Sequence, residues 1–419
     1  SLWRAVPVLR ALVDPERGRW GIDESRGLLA FFSEGWWVGS PLYLLLASAD
    51  TSLGLDGRGL LILQAVVGAL VAGLLYRTAL GTLGFLPALT AGLLWAVAEP
   101  AVSGGLLFLG ELLAGAATLL LVRALLDLAW RREPRRSWRA GAGVGGVGLL
   151  HGPAALWLPW IAGWLPWRSR RFRGAGWAVA VGLLLAGWLA LALLPILHGA
   201  LEHRAFTPTF ANGPYDLYVG AVDPAGLAAV DEARPVDPVR RFLVARHGSG
   251  GAAPDTLHAA RVEAPADGTR AVAGPRPPRA WLAEAARLWA ARPGVLAQRA
   301  LQRAAAFLGG AAPGPVPPPQ AGFLPLLPLD PLLILAFLGA FALLGSLRVF
   351  APLYAAVGLP LLVAAFTGLT ARGQLAALPF LCLFAGYGAA RLWMGRRSPV
   401  TWVVAPLLLA AGWAFVRAF

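Results

Sequence analysis

Lysine is absent from this chain: all 36 basic residues are arginine. Cysteine occurs once, at Cys382. One thiol excludes an internal disulfide and any thiolate-ligated metal cluster. Inside an apolar run, Cys382 reads as a small hydrophobe. The five histidines, at 151, 198, 203, 247 and 258, show no HExxH or other metal-ligand spacing. No Ser-His-Asp grouping and no phosphate-cradling P-loop is present. Charge is also scarce. Only 14% of the 419 residues are charged, where a soluble domain carries about a quarter. That shortage excludes an ordinary soluble globular protein.

What fills the chain is apolar. Hydrophobic residues make up 58% of the sequence, and the mean hydropathy is +0.64. Several runs exceed the roughly 18 residues that mark a membrane-spanning helix. Candidate spans cover 58–76, 83–101, 104–130, 175–197, 323–345, 350–368, 375–393 and 400–418. The fold class is therefore an all-α polytopic membrane protein. The shorter apolar stretch "SPLYLLLAS" at 40–48 suits the interface.

The net charge of +14 would suggest nucleic acid in a soluble chain. Here the arginines cluster in short loops between apolar runs, as cytoplasmic topology signals do. The clusters "RREPRRSWR" (131–139) and "RSRRFR" (168–173) both belong on the cytoplasmic side. They share a side only if the chain between them enters and returns. A re-entrant or hairpin pair is thus expected near 140–166, with its break at Gly152–Pro153. Counting outward from these clusters makes 1–56 a first extracytoplasmic loop, with a further helix expected upstream of it. Residues 57–197 form the N-terminal transmembrane helices, 198–320 an extracytoplasmic loop region, and 321–419 the C-terminal transmembrane helices. Within the outer region "PGPVPPPQ" (313–320) reads as an extended linker. "WLAEAARLWAARPGVLAQRALQRAAAF" (281–307) has helical spacing with a break at Pro293. Arg299 and Arg303, four apart, share a face of that helix.

Some motifs admit two readings. "GAGVGG" (141–146) formally matches a dinucleotide fingerprint. That fingerprint needs a preceding strand, so close helix packing through small residues is favoured. Glu111 stands inside an expected span, where a carboxylate costs several kcal/mol unless paired or hydrated. It either caps a neighbouring helix or lines a polar cavity open to the outer face. Arg372, where the chain turns back into the membrane from outside, is either a headgroup contact or a phosphate ligand, since its planar fork matches phosphate oxygens. Asp23 and Glu24 form an adjacent acidic pair in the first loop. They are either simply solvated or, held against the interfacial aromatics of "SEGWWVGSPLY", raised in pKa and suited to general-base work.

In order and topology these segments resemble the bacterial polyprenyl-phosphate-dependent glycosyltransferases of the GT-C type, related to the dolichyl-phosphate-mannose protein mannosyltransferases and the aminoarabinose transferases. The resemblance rests on "DESRGLLAFFSEG", "SPLYLLLAS", "GGLLFLGELLAGAATLLL", "FANGPYDLYVGAVDPAG" (210–226), "RPGVLAQRALQRAAAFL" and "ARGQLAALPFLCLFAGYGAARL". It spans residues 20–393. The chain departs from the family pattern at Gln374, where a second arginine is common, and at "LLHGPAALW", where His151 stands near a common Arg-Pro.

The resemblance implies a GT-C-like helix bundle with a long extracytoplasmic loop. It implies inverting transfer of a sugar from a polyprenyl-phosphate donor to a glycolipid, lipid-linked glycan or protein acceptor. Asp23, or Glu24, would act as base, with Glu111 orienting it or binding a sugar hydroxyl. Arg372, Arg299 and Arg303 would bind the donor phosphate. Asn212, Tyr215 and Tyr218 would belong to the substrate loop. No cofactor is required; a divalent metal is optional, and no dedicated ligand set is present. The setting would be the bacterial inner membrane, with the site on its periplasmic or extracellular face. Two other classes stay open: a transporter or flippase of lipid-linked sugars, and a non-catalytic membrane subunit.

Overall fold

The computed structural model describes residues 41–52, 58–106, 110–169, 172–202, 217, 220–221, 278–308, 327–367 and 370–395. Among the described residues 93% are helical and none lies in a strand. The chain divides into two units. One comprises Ser1–Ile62, Leu193–Ala297 and Phe366–Gly368; the other comprises Leu63–Ala192, Gln298–Ala365 and Leu369–Phe419.

The second unit holds most of the apolar helices. Helix α2 (Arg58–Leu80) follows the short α1 (Pro41–Ser52). It returns as α3 (Phe85–Val97) through Gly84, whose φ of 98° favours glycine. The indole N–H of Trp95 donates to the Gly68 carbonyl at 2.8 Å, which ties the end of α3 to the middle of α2. Residues 62, 66 and 70 form an exposed apolar stripe along α2. Spacing of i, i+4, i+8 puts them on one face, and such a face suits hydrocarbon.

The expected span 83–101 is broken. Ala98 is extended, at φ −66° and ψ 121°. Around it Leu327 N–H donates to the Val97 carbonyl at 2.7 Å, and Glu99 N–H donates to the Leu327 carbonyl at 2.9 Å. Pro100, in the first turn of α4 (Glu99–Leu106), has no N–H with which to continue α3. At 13 residues, α3 is about 20 Å long, short of the roughly 30 Å hydrocarbon core.

Two helices are central. Of their spanning windows, 67% is buried in α5 (Glu111–Arg131) and 72% in α13 (Thr370–Gly395). The figure is 22% for α2 and for α8 (Ala175–Glu202), which lie at the periphery. Between α5 and α8 come α6 (Ser137–Gly148) and α7 (Trp157–Arg168), joined through a 3₁₀ turn at Gly152–Leu156. A Cβ on Gly141 would fall on the Leu184 carbonyl, and one on Gly187 would fall on the Trp138 carbonyl. The "GAGVGG" string is thus the close-approach face of α6 against α8. It lies within a helix and is preceded by another helix, so it lacks the context of a dinucleotide site.

Helices α11 (Leu329–Leu343) and α12 (Leu347–Thr367) form one apolar run of 39 residues, with a 3₁₀ turn at Leu344–Ser346. The Tyr354 hydroxyl donates to the Ala340 carbonyl at 2.5 Å. Fourteen residues along a straight helix would separate them by about 21 Å. The run therefore folds back on itself, and its two arms correspond to the expected spans 323–345 and 350–368. Helix α11 meets α13 at two glycines: a Cβ on Gly339 would fall on the Phe384 carbonyl, and one on Gly388 on the Leu335 carbonyl.

Hydrogen bonds define the ends of this unit. At one end Arg168 Nη2 donates to the Ala129 carbonyl at 2.9 Å, and Trp164 Nε1 donates to the Arg348 carbonyl at 3.1 Å. These bonds join the ends of α5 and α7 to the start of α12. The opposite end holds the starts of α5 and α13.

In the first unit, Asp50 of α1 is buried, and its Oδ1 accepts the Leu60 N–H at 2.9 Å. An acid there satisfies one orphan amide of the α2 N-terminus and suits its dipole. Helix α9 (Pro278–Ala291) sets the Trp289 ring against that of Phe366, with centroids 5.0 Å apart and planes tilted by 41°. Glu284 and Arg287 pair on its surface at 2.6 Å.

Among the described residues, five helices are long and apolar enough to cross a membrane, which fits a multi-pass membrane protein. The expected span 400–418 lies outside the described residues.

Candidate functional site

The candidate site is built on α10 (Pro293–Leu308). Its spacing is amphipathic in an unusual sense. At about 100° per residue, Arg299 and Arg303 lie on the face of Phe307, which is fully buried. The opposite face carries Leu301, 70% exposed. The helix thus turns guanidinium groups towards protein and a leucine outward, the reverse of a water-facing helix and the arrangement expected beside hydrocarbon.

Three contacts fix this helix. Arg303 Nη1 donates to the Ala365 carbonyl at 3.5 Å. Ala365 lies in the last turn of α12, where carbonyls lack helical partners and the dipole is negative. Burial, and then the like charge of Arg299, pull the Arg303 guanidinium below its ordinary pKa. Near the end of α10 itself, the Gln374 side-chain amide donates to the Phe307 carbonyl at 2.8 Å. Phe307 also packs in a small cluster with Ala364 and Ala377. A Cβ on Gly373 would come within 3.1 Å of the Phe307 ring and of the Pro360 carbonyl, so glycine lets α13 start close against α10 and α12.

Glu111 differs in placement from its expectation. It stands at the first residue of α5, after Gly110, rather than within a helix beginning near 104. Its side chain is buried. A carboxylate in a first helical turn is favoured by the dipole. One turn on, a Cβ on Gly115 would approach Pro379 and the Ala376 carbonyl at 3.4 Å. The starts of α5 and α13 therefore lie side by side. Arg372 is the third residue of α13. By helix position, Glu111, Arg303 and Arg372 belong to one end of the second unit, with Arg299 one turn from Arg303.

Other expected site residues fall elsewhere. Asp23, Glu24, Asn212, Tyr215 and Tyr218 lie outside the described residues. Of the 210–226 patch, Leu217, Gly220 and Ala221 are described. A Cβ on Gly220 would fall on the Phe366 carbonyl, and Ala221 is buried. Among the described residues no group of three His, Cys, Asp or Glu could hold a metal ion.

Gln374 has a role the sequence did not suggest. Where the resemblance puts a second arginine, the amide closes the C-terminal end of α10. Its partner is 67 residues away, and no local spacing announces such a contact. No family model, curated protein or solved structure matches this chain.

Proposed function

We propose that the chain is an integral membrane glycosyltransferase of the GT-C type. It transfers a sugar with inversion from a polyprenyl-phosphate donor to an acceptor on the extracytoplasmic face. The observation that carries this reading is α10: its inward face bears Arg299 and Arg303, and its outward face bears exposed Leu301. An amphiphile with a phosphate and a long hydrocarbon tail fits both faces, because its charge meets guanidinium while its tail stays in lipid.

In the chemistry that follows, Asp23, or Glu24, takes the proton from the acceptor hydroxyl or amine. The acceptor attacks C1 of the sugar from the face opposite the leaving group. The C1–O bond to the phosphate breaks, and the lipid monophosphate leaves with the bonding pair. Negative charge grows on the phosphate during this step. Arg299, Arg303 and Arg372 stabilise it electrostatically in a site of low dielectric. Glu111 orients the base or binds a sugar hydroxyl. The donor reaches the site through the bilayer, so no nucleotide pocket is needed.

Mass spectrometry of cell-envelope glycans, with and without the gene, tests the activity. A glycan that loses one defined sugar supports transfer and identifies sugar and acceptor together. Unchanged envelope glycans, with intact lipid-linked sugar exchanged across vesicles by the purified protein, would make it a transporter instead.

A further inference from the structure

The opposite end of the second unit carries a separate concentration of arginine. Its two described acids are already engaged. Asp127 pairs with Arg131 at 2.8 Å and with Arg136 at 2.7 Å, and Glu133 pairs with Arg136 at 2.7 Å. Outside those pairs the same end carries Arg132, Arg135, Arg139, Arg168, Arg173 and Arg348, with Arg139 over the Trp138 ring at 5.9 Å. The corner of interest is formed by Arg132, Arg168 and Arg348. Arg168 ends α7 and uses Nη2 on the Ala129 carbonyl, while its Nε is buried with no hydrogen-bond partner among the described residues. Burial, then the like charge of Arg132, lower the Arg168 guanidinium below its ordinary pKa. Arg132 is held just past the end of α5 in the left-handed region, at φ 56°, with its N–H on the Leu128 carbonyl. Arg348 lies over the Trp167 ring at 6.0 Å, and its carbonyl accepts from Trp164. Three elements therefore bring positive charge to one corner, and one of the charges is partly desolvated.

The surroundings define the depth of this corner. Trp130, Trp138, Trp167 and Trp177 are all exposed. They sit at the end of α5, the start of α6, the end of α7 and the start of α8. Exposed tryptophans at helix ends mark the headgroup level of a bilayer. An anion arriving here comes with apolar helix surface directly beneath it.

We infer that Arg132, Arg168 and Arg348, with Trp167 as a wall, bind the phosphate of an anionic glycerophospholipid. The two exposed arginines supply forks that match phosphate oxygens. Arg168 supplies a fixed charge from below, and the acyl chains lie along α7. Basic pockets between helices at the membrane surface bind anionic headgroups in this way. The site is independent of the proposed transfer reaction, because it occupies the other end of the unit.

The test is native mass spectrometry of the purified full chain from micelles offered phosphatidylglycerol and phosphatidylcholine of matched acyl length. The wild type should retain one phosphatidylglycerol with about tenfold preference, equivalent to roughly 1.4 kcal/mol. At about 1 kcal/mol per arginine, Arg132→Gln and Arg348→Gln should each weaken retention about fivefold. Both side chains are exposed, so these variants read the site even if Arg168→Gln fails to fold. Arg391→Gln is the control: it removes an exposed arginine at the same end, one that lies over Tyr387 at 5.8 Å, and should leave retention unchanged. Equal retention of the two lipids overturns the proposal. So does an Arg391→Gln effect as large as that of Arg132→Gln, which would indicate general surface charge. Displacement of the lipid by inorganic phosphate would reassign the site to the free anion.

Discussion

The side-chain amide of Gln374 donates to the carbonyl of Phe307 at 2.8 Å, with both residues buried. Helix α10 would otherwise end on an unmatched carbonyl inside the protein. Replacing Gln374 with Leu should destabilise the protein by about 1–3 kcal/mol, the cost of an unsatisfied buried acceptor. Gln374→Glu should do worse, because an ionised carboxylate faces that carbonyl without a donor. Thermal unfolding in detergent ranks the two variants. Wild-type stability in both would mean that this bond carries no weight.

Arg303 and Arg299 share a face of α10, and Arg303 donates to the Ala365 carbonyl. Arg303→Ala should lower kcat for sugar transfer on the order of a hundredfold. Arg303→Lys should recover only part of that, because a point charge replaces a planar fork. Arg299→Ala should raise the donor KM more than it changes thermal stability. Transfer rates measured with a polyprenyl-phosphate sugar decide this. Unaltered kinetics in both alanine variants would remove the phosphate assignment from α10.

Gly339 and Gly388 form one crossing between α11 and α13. Alanine at either position drives a methyl group onto the facing backbone carbonyl. Each substitution should cost about 1–3 kcal/mol through overpacking. The double variant should cost less than the sum, since the first displacement already separates the helices. Additive losses would show that the two glycines act independently.

Asp50→Ala should destabilise the start of α2 by about 1 kcal/mol, as cap removal does elsewhere. Asp50→Asn keeps an acceptor for the Leu60 N–H and should lose less. Hydrogen exchange at Leu60 reads the effect directly, and equal protection in the two variants would contradict it.

Acid acts at the corner between α5 and α6. The hydrogen bond from Arg136 holds the Glu133 carboxyl below its ordinary 4.5, against a smaller opposing effect of burial. A depressed folded-state pKa contributes stability above the unfolded value and loses it as the pH falls through the folded value. Stability should therefore be level down to about pH 4.5 from this group and decline below it. Glu133→Gln should remove that component of the decline. Superimposable pH profiles of wild type and variant would exclude it.

Much of the helical architecture was legible because hydrocarbon imposes a simple demand: long uninterrupted apolar runs. The runs at 58–76, 175–197 and 375–393 all coincide with helices. "GAGVGG" was readable as packing because its neighbours already excluded a strand. Spacing also put Arg299 and Arg303 on one face. It did not say that this face points inward, since a leucine on the far side looks the same in sequence whether lipid or protein covers it. The break at Ala98 was not legible either. It depends on backbone bonds with Leu327, more than two hundred residues later. Gln374 misled for a similar reason: judged by its position in a motif it replaces an arginine, whereas its partner lies on another helix.

The fold-back of α11 and α12 bears on biogenesis. Two arms joined by a three-residue turn at Leu344–Ser346 enter a bilayer as a pair, each shielding part of the other's surface. Where both arms cross, chain parity before and after the pair is the same, so Arg348 near its tip need not dictate how α13 is oriented. Charge substitutions at that tip should disturb the efficiency of insertion while leaving the handedness of everything downstream intact.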